Sequence, residues 1–207
     1  SEAAAAILAF LNGDAKELAT FLSKPVKVDE HYYYQIANYG SSMSPFYSVL
    51  AIWVGMTILV SLMKVHVNDA EYLNDARPHQ LFWGRYLIFF LLSQLQVLVI
   101  VLGDLYLLKI QCLHPFAFWA VAALTGFTFS LLIYSLTISF GDIGKALAVV
   151  IMVLQIAGSG GTYPIEALPG FFRQAYIFFP FPYAINAMRE CIGGMYHHDL
   201  FVYLAEL

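Results

Sequence analysis

Three long stretches of the chain contain almost no charged residue. Residues 45–63 and 116–140 have none, and residues 86–108 carry only Asp104, near the end of that stretch. A helix needs about 20 apolar residues to cross a hydrocarbon core of about 30 Å. Charged residues make up only 12% of the 207 residues, against about 25% in soluble domains. We therefore expect an all-α, polytopic membrane helix bundle in which these stretches are spans.

A fourth apolar stretch, residues 146–161, is shorter and ends in glycines. Its 16 residues fall short of the hydrocarbon core at about 1.5 Å per residue. Irregular backbone is not tolerated against lipid, but it can be buried in protein or line a wet cavity. We therefore predict a helix that ends at membrane depth and forms a gate. The predicted gate motif contains Gln155, Gly158, Gly160, Gly161, Pro164 and Glu166.

Residues 162–196 are predicted to fold back into the outer leaflet as short helices. The stretch up to residue 183 is dense in aromatic residues, as at membrane interfaces, and its prolines forbid one continuous helix. Arg189 and Glu190 follow in a predicted helix. They either steer a charged substrate at the outer mouth or neutralise one another or their neighbours, and we favour neutralisation. The expected architecture is four complete spans plus this outer re-entrant helical segment.

Small and polar residues inside the spans predict helix packing. Ala122, Gly126 and Ser130 lie four residues apart, so one side of a helix allows close approach. Gln94 and Gln96 should hydrogen-bond to neighbouring helices, because an unpaired amide is costly there. For all five, packing within the chain or in a dimer is favoured over substrate contact. Asp104 is either a proton or ion site or a solvated helix end, and its position near the predicted surface favours the latter.

The distribution of Lys and Arg predicts the orientation. It places residues 64–85 and 141–145 in the cytoplasm, and residues 162–198 outside. Asn68 can cap a short polar helix that has acidic residues in its first turn. We predict an ATPase docking loop over a solvated connector, with Asn68, Asp69, Glu71 and Arg77 as its contact residues.

The chain before the first span differs from the rest. Residues 1–24 have helical apolar spacing and residues 25–37 look extended. We expect residues 1–44 to be the end of an extracellular domain with a pre-membrane segment, and residues 45–207 to be a transmembrane domain. The whole chain is expected to be a fragment of a longer protein.

Several function classes find no support. The net charge of −4 gives no basic surface for nucleic acid. No phosphate-binding loop, nucleophile elbow or zinc motif is present, so we predict no enzyme activity and no cofactor. Adjacent His197 and His198 do not share a helix face, and no metal site is predicted. Cys112 and Cys191 are expected to be inert thiols, with a disulfide as the alternative.

Four segments resemble a known family. They are NYG at 38–40, MSPFYSVLAIWVG at 43–55, GKALAVVIMVLQIAGSGGTYPIEALPGFF at 144–172 and FPYAINAMRECIGG at 181–194. They closely resemble the C-terminal membrane part of the phage infection protein family, Pip/YhgE, which has the membrane-domain fold of type-2 ABC exporters. The resemblance covers most of residues 25–196.

The resemblance implies a permease with six spans that pairs as a homodimer and docks a separate ATPase through the loop after its second span. Relatives act as bacteriophage receptors at the Gram-positive cell surface or as the membrane scaffold of type VII secretion. Two functions follow as expectations: a permease-like subunit of an ABC-type export system, or a non-transporting anchor such as a phage receptor or secretion scaffold. Both would lie in a cell membrane, most simply a Gram-positive plasma membrane.

Overall fold

The computed structural model describes residues 36–63, 77–162, 165–195 and 198–207. All of them belong to one compact unit, Tyr34–Leu207. The predictions for residues 1–35, for Asn68, Asp69 and Glu71, for Pro164 and for His197 lie outside the described residues.

Helix α1, Tyr39–Leu62, begins six residues before the predicted start at Pro45. The side chain of Asn38 caps it by accepting the N–H of Ser41 at 2.8 Å, as asparagine commonly does. Pro45 has no N–H to donate to the carbonyl of Ser41. The hydroxyl of Ser44 donates to that carbonyl instead, at 3.0 Å. The predicted helix start at Pro45 is wrong. The hydroxyl of Ser44 takes the place of the missing N–H, so the helix can include the proline.

Helix α2, Pro78–Leu102, continues into one π-helical turn, Gly103–Leu107. Its start shows that residues 78–85 belong to the helix and not to the predicted loop. The first position is a proline, which is favoured there because its missing N–H would have no helical partner. The side chain of Gln80 accepts the N–H of Arg77 at 3.0 Å.

Helices α3, Pro115–Phe140, and α4, Asp142–Gly158, are joined by a single residue. That residue is Gly141, with φ of +62°, a value that favours glycine. The predicted loop at 141–145 is therefore mostly the first turn of α4. There Lys145 pairs with Asp142 at 2.9 Å.

Short helices follow α4. A 3₁₀ turn, Ile165–Ala167, precedes α5, Gly170–Ala175, and a second 3₁₀ turn, Tyr176–Phe178, precedes α6, Pro180–Gly193. Helix α7, Asp199–Glu206, completes the described part of the chain. Helix α6 packs against both α1 and α3, so the chain does return to the bundle after the glycines.

One aromatic cluster joins the helices at the centre of the bundle. Trp53 of α1 is fully buried and makes edge contacts with Phe129 of α3 and Phe181 of α6, at ring-centroid distances of 4.9 and 5.4 Å. The two phenylalanine rings stack at 5.4 Å. The indole N–H of Trp53 donates to the carbonyl of Ala148 in α4 at 3.1 Å, which satisfies a polar atom that would otherwise be buried unpaired.

Among the described residues, three helices are long and apolar enough to cross a membrane: Tyr39–Leu62, Pro78–Leu107 and Pro115–Phe140. Helix α4 has 17 residues and is not one of them, so four complete spans remain a prediction. The outward face of α2 is apolar, with Leu91, Leu95 and Val99 about 60% exposed. All regular elements in the described ranges are helical, which confirms the predicted all-α membrane bundle.

Candidate gate at the broken helix

Helix α4 ends inside the bundle. Its last residue is Gly158, and Gly161 lies directly against the ring of Phe46, so closely that a Cβ on this glycine would overlap the ring. Phe46 is seven residues into α1, about 10 Å along that helix from its first residue. Helix α4 therefore stops about two turns short of the end at which α1 begins.

The glycines of the break are favoured at their positions either by the lack of space for a side chain or by the backbone conformation. A Cβ on Gly158 would lie 2.9 Å from Cδ1 of Phe172, so a side chain would push this aromatic ring away. Gly160 has φ of +66°, which other residues adopt at a cost. The N–H of Gly161 donates to the hydroxyl of Ser159 at 3.3 Å. The break is thus a packed turn in which larger residues do not fit.

Helix α6 begins deep in the bundle with every N-terminal donor accounted for. The first four N–H groups of a helix have no partner within it. Here two of the four positions are Pro180 and Pro182, which have no N–H. The N–H of Phe179 donates to the carbonyl of Tyr176 at 3.2 Å, and that of Phe181 donates to Oε1 of Gln155 at 3.3 Å. A helix start can therefore be buried here without orphaned backbone donors.

The ends of α6 define a re-entrant path. Phe181 lies in the aromatic cluster with Trp53, which is 14 residues into α1 and so roughly 20 Å from its first residue. At the other end, the carbonyl of Cys191 accepts the N–H of His114, next to the start of α3, at 3.1 Å. Helix α6 therefore runs from the centre of the bundle to the end at which α1 and α3 begin.

Arg189 of α6 holds the break. Its Nη2 donates to the carbonyl of Gly161 at 3.1 Å, and its Nη1 donates to Oδ1 of Asn186 at 3.3 Å. Asn186 in turn donates to the hydroxyl of Tyr176 at 3.3 Å. These acceptors of Arg189 are uncharged, and Glu190 is buried. The favoured expectation, that Arg189 and Glu190 neutralise one another or their neighbours, stays a prediction.

The remaining residues of the predicted gate motif behave differently. Gln155 is fully buried, and its Nε2 has no hydrogen-bond partner among the described residues. Glu166 is exposed on the first 3₁₀ turn. Phe46 and Asn186 belong to the site but were missed. Phe46 packs on Gly161 in a distant segment, and Asn186 joins Tyr176 to Arg189, three residues further along α6.

The small residues of α3 pack within the chain. Ala122, Gly126 and Ser130 are all buried. A Cβ on Gly126 would lie 2.6 Å from Cγ2 of Val97 in α2, and the hydroxyl of Ser130 lies 3.1 Å from that of Tyr86. The close approach predicted for this ridge is therefore made to α2.

The two glutamines inside α2 have partners on neighbouring helices. Nε2 of Gln94 donates to the carbonyl of Ala123 at 3.2 Å, and Nε2 of Gln96 donates to that of Ala51 at 3.3 Å. Gln96 lies across Gly55, where a Cβ would overlap its amide. The predicted interhelical hydrogen bonds are confirmed.

The environment of Asp104 differs from the one predicted from the sequence. A solvated helix end was favoured, but this residue is only 7% exposed. Its Oδ2 accepts the hydroxyl of Ser48 in α1 at 2.5 Å. The π turn brings the carboxyl group against α1, which the apolar pattern of α2 could not indicate.

Neither thiols nor metal ligands form a reactive centre in the described part of the chain. Cys112 and Cys191 are free thiols, and Sγ of Cys112 lies 3.6 Å from the carbonyl oxygen of Cys191. No group of three or more His, Cys, Asp or Glu residues there could hold a metal ion.

These features define a class of protein: a helical membrane bundle with a helix broken at glycines and a re-entrant helix packed beside the break. The chain belongs to the ABC-2 family transporter proteins, whose family model matches residues 1–205. It is 26% identical over 170 residues to the uncharacterized protein YhgE of Bacillus subtilis (strain 168), an alignment that covers 82% of this chain and 22% of the relative. The resemblance to the Pip/YhgE family is thereby confirmed.

The chain spans about a fifth of the length of this curated relative. No solved structure matches this chain.

Proposed function

We propose that the chain is the permease-like subunit of an ABC-type export system, in which the break after α4 and the start of α6 form an outer gate. The observation that carries the proposal is the buried N-terminus of α6, linked to α4 through Gln155 and to the break through Arg189. Helices that end inside a membrane bundle are found where transporters bind or release their cargo. Such a pair can repack while the long lipid-facing helices stay in place.

The energy for export would come from another chain. The sequence has no phosphate-binding loop, so ATP would be bound by a separate ATPase subunit. The loop before α2, with Asn68, Asp69 and Glu71, is proposed as its docking site. Arg77 stands at the junction of this loop with α2.

Two copies of the protein would form the complete path. ATP binding can drive export only if the ATPase has different affinities for two packings of the bundle. In one packing, Arg189 would hold the carbonyl of Gly161 and keep the gate closed. In the other packing this link would be released. The Bacillus source of the relative supports a Gram-positive plasma membrane as the location.

A first experiment tests the ATPase partnership. The full-length protein is purified from its native membrane under gentle extraction, and copurifying chains are assayed for ATP hydrolysis and identified by mass spectrometry. Replacing Asn68, Asp69 and Glu71 with alanine should release the ATPase. Glu166→Ala, which removes an exposed charge elsewhere, is the control and should retain it.

A second experiment tests the gate. In a background lacking native cysteines, Ser159→Cys is labelled with a membrane-impermeant maleimide in proteoliposomes, with and without ATP. We expect ATP to change the labelling rate, and Gly160→Leu with Gly161→Leu to abolish that change while the ATPase stays bound. If no ATPase copurifies and ATP leaves labelling unchanged, the permease proposal is wrong and the chain is better described as a non-transporting anchor.

A further inference from the structure

A cavity of about 450 Å³ lies between α1 and α2, and none of the gate residues lines it. Cavities of this size commonly hold small organic ligands, and a bare ion would leave most of the space empty. Most of the lining surface is apolar, although about half of the lining residues carry a polar group, contributed by the first turns of α1, its cap Asn38 and the π turn of α2. The lining includes Ser44, Tyr47, Ser48, Ile100, Asp104 and Ile110.

Asp104 is the acidic side chain among the residues that line this cavity. It is 7% exposed, and its one described side-chain hydrogen bond is the contact between its Oδ2 and the hydroxyl of Ser48. No ion pair of Asp104 occurs among the described residues. A buried carboxyl group is stable only when it is protonated or meets a cation, and a ligand's cation would let Asp104 stay ionised.

The hydrogen bond from Ser48 only partly satisfies the carboxylate. The same hydroxyl also lies 2.8 Å from the carbonyl oxygen of Ser44. A serine hydroxyl has a single proton to donate, so it can serve either Asp104 or Ser44 at one time. The carboxylate therefore has room for a further donor.

The backbone of α2 changes at this point. The π-helical turn, Gly103–Leu107, contains Asp104, and the carbonyl of Asp104 accepts the N–H of Ile110 at 3.1 Å. Single π turns are rare and occur frequently at functional sites. The π turn is a feature of the backbone, separate from the cavity, and it contains Asp104.

We infer that the cavity between α1 and α2 binds a protonated amine that carries an apolar body. Asp104 pairs with the ammonium group, and the apolar walls enclose the hydrocarbon part. The ring of Tyr47 lines the same cavity and can attract the cation through its face. This site goes beyond the proposed gate and does not depend on it.

The depth of the carboxylate favours an amphiphile that enters from the bilayer. Ser48 is nine residues into α1, about 14 Å along the helix from Tyr39. Tyr47, which lines the cavity, is 59% exposed. Both a free alkylamine and a lipid with an ammonium headgroup have the required chemistry.

The test uses the full-length protein in phosphatidylcholine nanodiscs and tritiated dodecylamine in a scintillation proximity assay, with empty nanodiscs as background. We expect saturable binding that unlabelled dodecylamine displaces and dodecanol, its neutral counterpart, displaces at least about tenfold less well. Asp104→Asn should weaken dodecylamine binding at least about tenfold. The control Asp142→Asn, a carboxylate whose side chain is 95% exposed, should leave it unchanged.

A second variant separates loss of binding from misfolding. Ala51→Phe fills the cavity from its exposed rim and keeps the carboxylate, so it should also abolish the saturable component.

Nanodiscs that contain phosphatidylethanolamine distinguish the two sources of the amine. Suppressed dodecylamine binding identifies a lipid headgroup as the occupant, and unchanged binding identifies a free amphiphile. Equal displacement by amine and alcohol, or full binding in folded Asp104→Asn or Ala51→Phe, would overturn the inference.

Discussion

Nη2 of Arg189 donates to the carbonyl oxygen of Gly161 at 3.1 Å, across 28 positions of chain. This bond joins the end of a broken helix to a helix that re-enters the bundle. Gly161 lies three residues beyond Gly158, the last residue of α4, so the bond holds the turn that follows the helix. It is also the contact that the proposed gate would have to release.

The first prediction concerns this contact. Replacing Arg189 with methionine removes the donors but keeps much of the apolar stem, and we expect the free energy of unfolding to fall by about 1.5–3 kcal/mol, as for a hydrogen bond to a charged group. Denaturant unfolding in detergent, followed by tryptophan fluorescence, measures the change. Arg173→Met, on the exposed side of α5, is the matched control and should have little effect. Equal stabilities of the two variants would contradict the role of Arg189.

The second prediction concerns the contact between Gly161 and Phe46. Gly161→Ala places a methyl group on the ring of Phe46, and overpacking of this kind costs about 1–3 kcal/mol. Phe46→Leu should recover part of the loss in the double variant, because it removes the ring. Gly170→Ala, where a Cβ meets nothing within 4 Å, serves as the control. A purely additive double-mutant cycle would show that the two residues do not interact.

The third prediction tests the buried start of α6. Gln155→Leu removes the acceptor for the N–H of Phe181, and an unsatisfied buried donor costs about 1–3 kcal/mol. The same substitution also removes the unpaired Nε2 of Gln155, which offsets part of that cost. Pro182→Ala adds a donor at a position where the native helix has none, so it should destabilise the protein independently. Hydrogen exchange at the first turn of α6 should increase in both variants and remain unchanged in Gln174→Leu, at an exposed position of α5.

The fourth prediction concerns the ridge on α3. Gly126→Val pushes against Val97 of α2, so it should lower stability within one chain and not only weaken a dimer. The expected loss is about 1–3 kcal/mol, measured by thermal unfolding of the detergent-solubilised protein at several protein concentrations. A loss of stability that grows on dilution would point instead to an interface between copies.

Much of the fold could be predicted because the decisive signals are local. Long charge-free stretches predict spans whatever their partners are, and Gly160, with φ of +66°, helps to end a helix through its own conformational freedom. The start of α1 could not be predicted, because Pro45 is normally a helix-start signal. It is tolerated here because the hydroxyl of Ser44 replaces the missing N–H.

The site was predicted only in part, because its contacts cross between helices. Arg189 was among the predicted residues, but its acceptor is a backbone carbonyl, and no side-chain pattern marks a carbonyl. Asp104 was expected to be solvated, because one residue near a span end gives no sign of Ser48 on another helix. Pairings of this kind depend on the register between helices, which an amphipathic or apolar pattern does not specify.

The last prediction concerns the reactivity of Cys191, which lies in α6, outside the three helices long enough to cross a membrane. Burial is the main reason that the pKa of its thiol rises to about 12 from an ordinary 9.0, and the neighbouring Cys112 and Glu190 raise it further. Since the thiolate is the reactive form, its fraction at pH 8 should be about a thousandfold smaller than for a free thiol.

We therefore expect maleimide to modify the single-cysteine variant Cys112→Ser only very slowly when the protein is folded, and rapidly once it is unfolded in SDS. Mass spectrometry of samples quenched at intervals gives both rates. The complementary variant Cys191→Ser reports on Cys112, which is less buried and should react faster in the folded state. Rapid modification of folded Cys112→Ser would mean that α6 opens to solvent at this end, because a buried neutral thiol has neither the access nor the charge that the reaction requires.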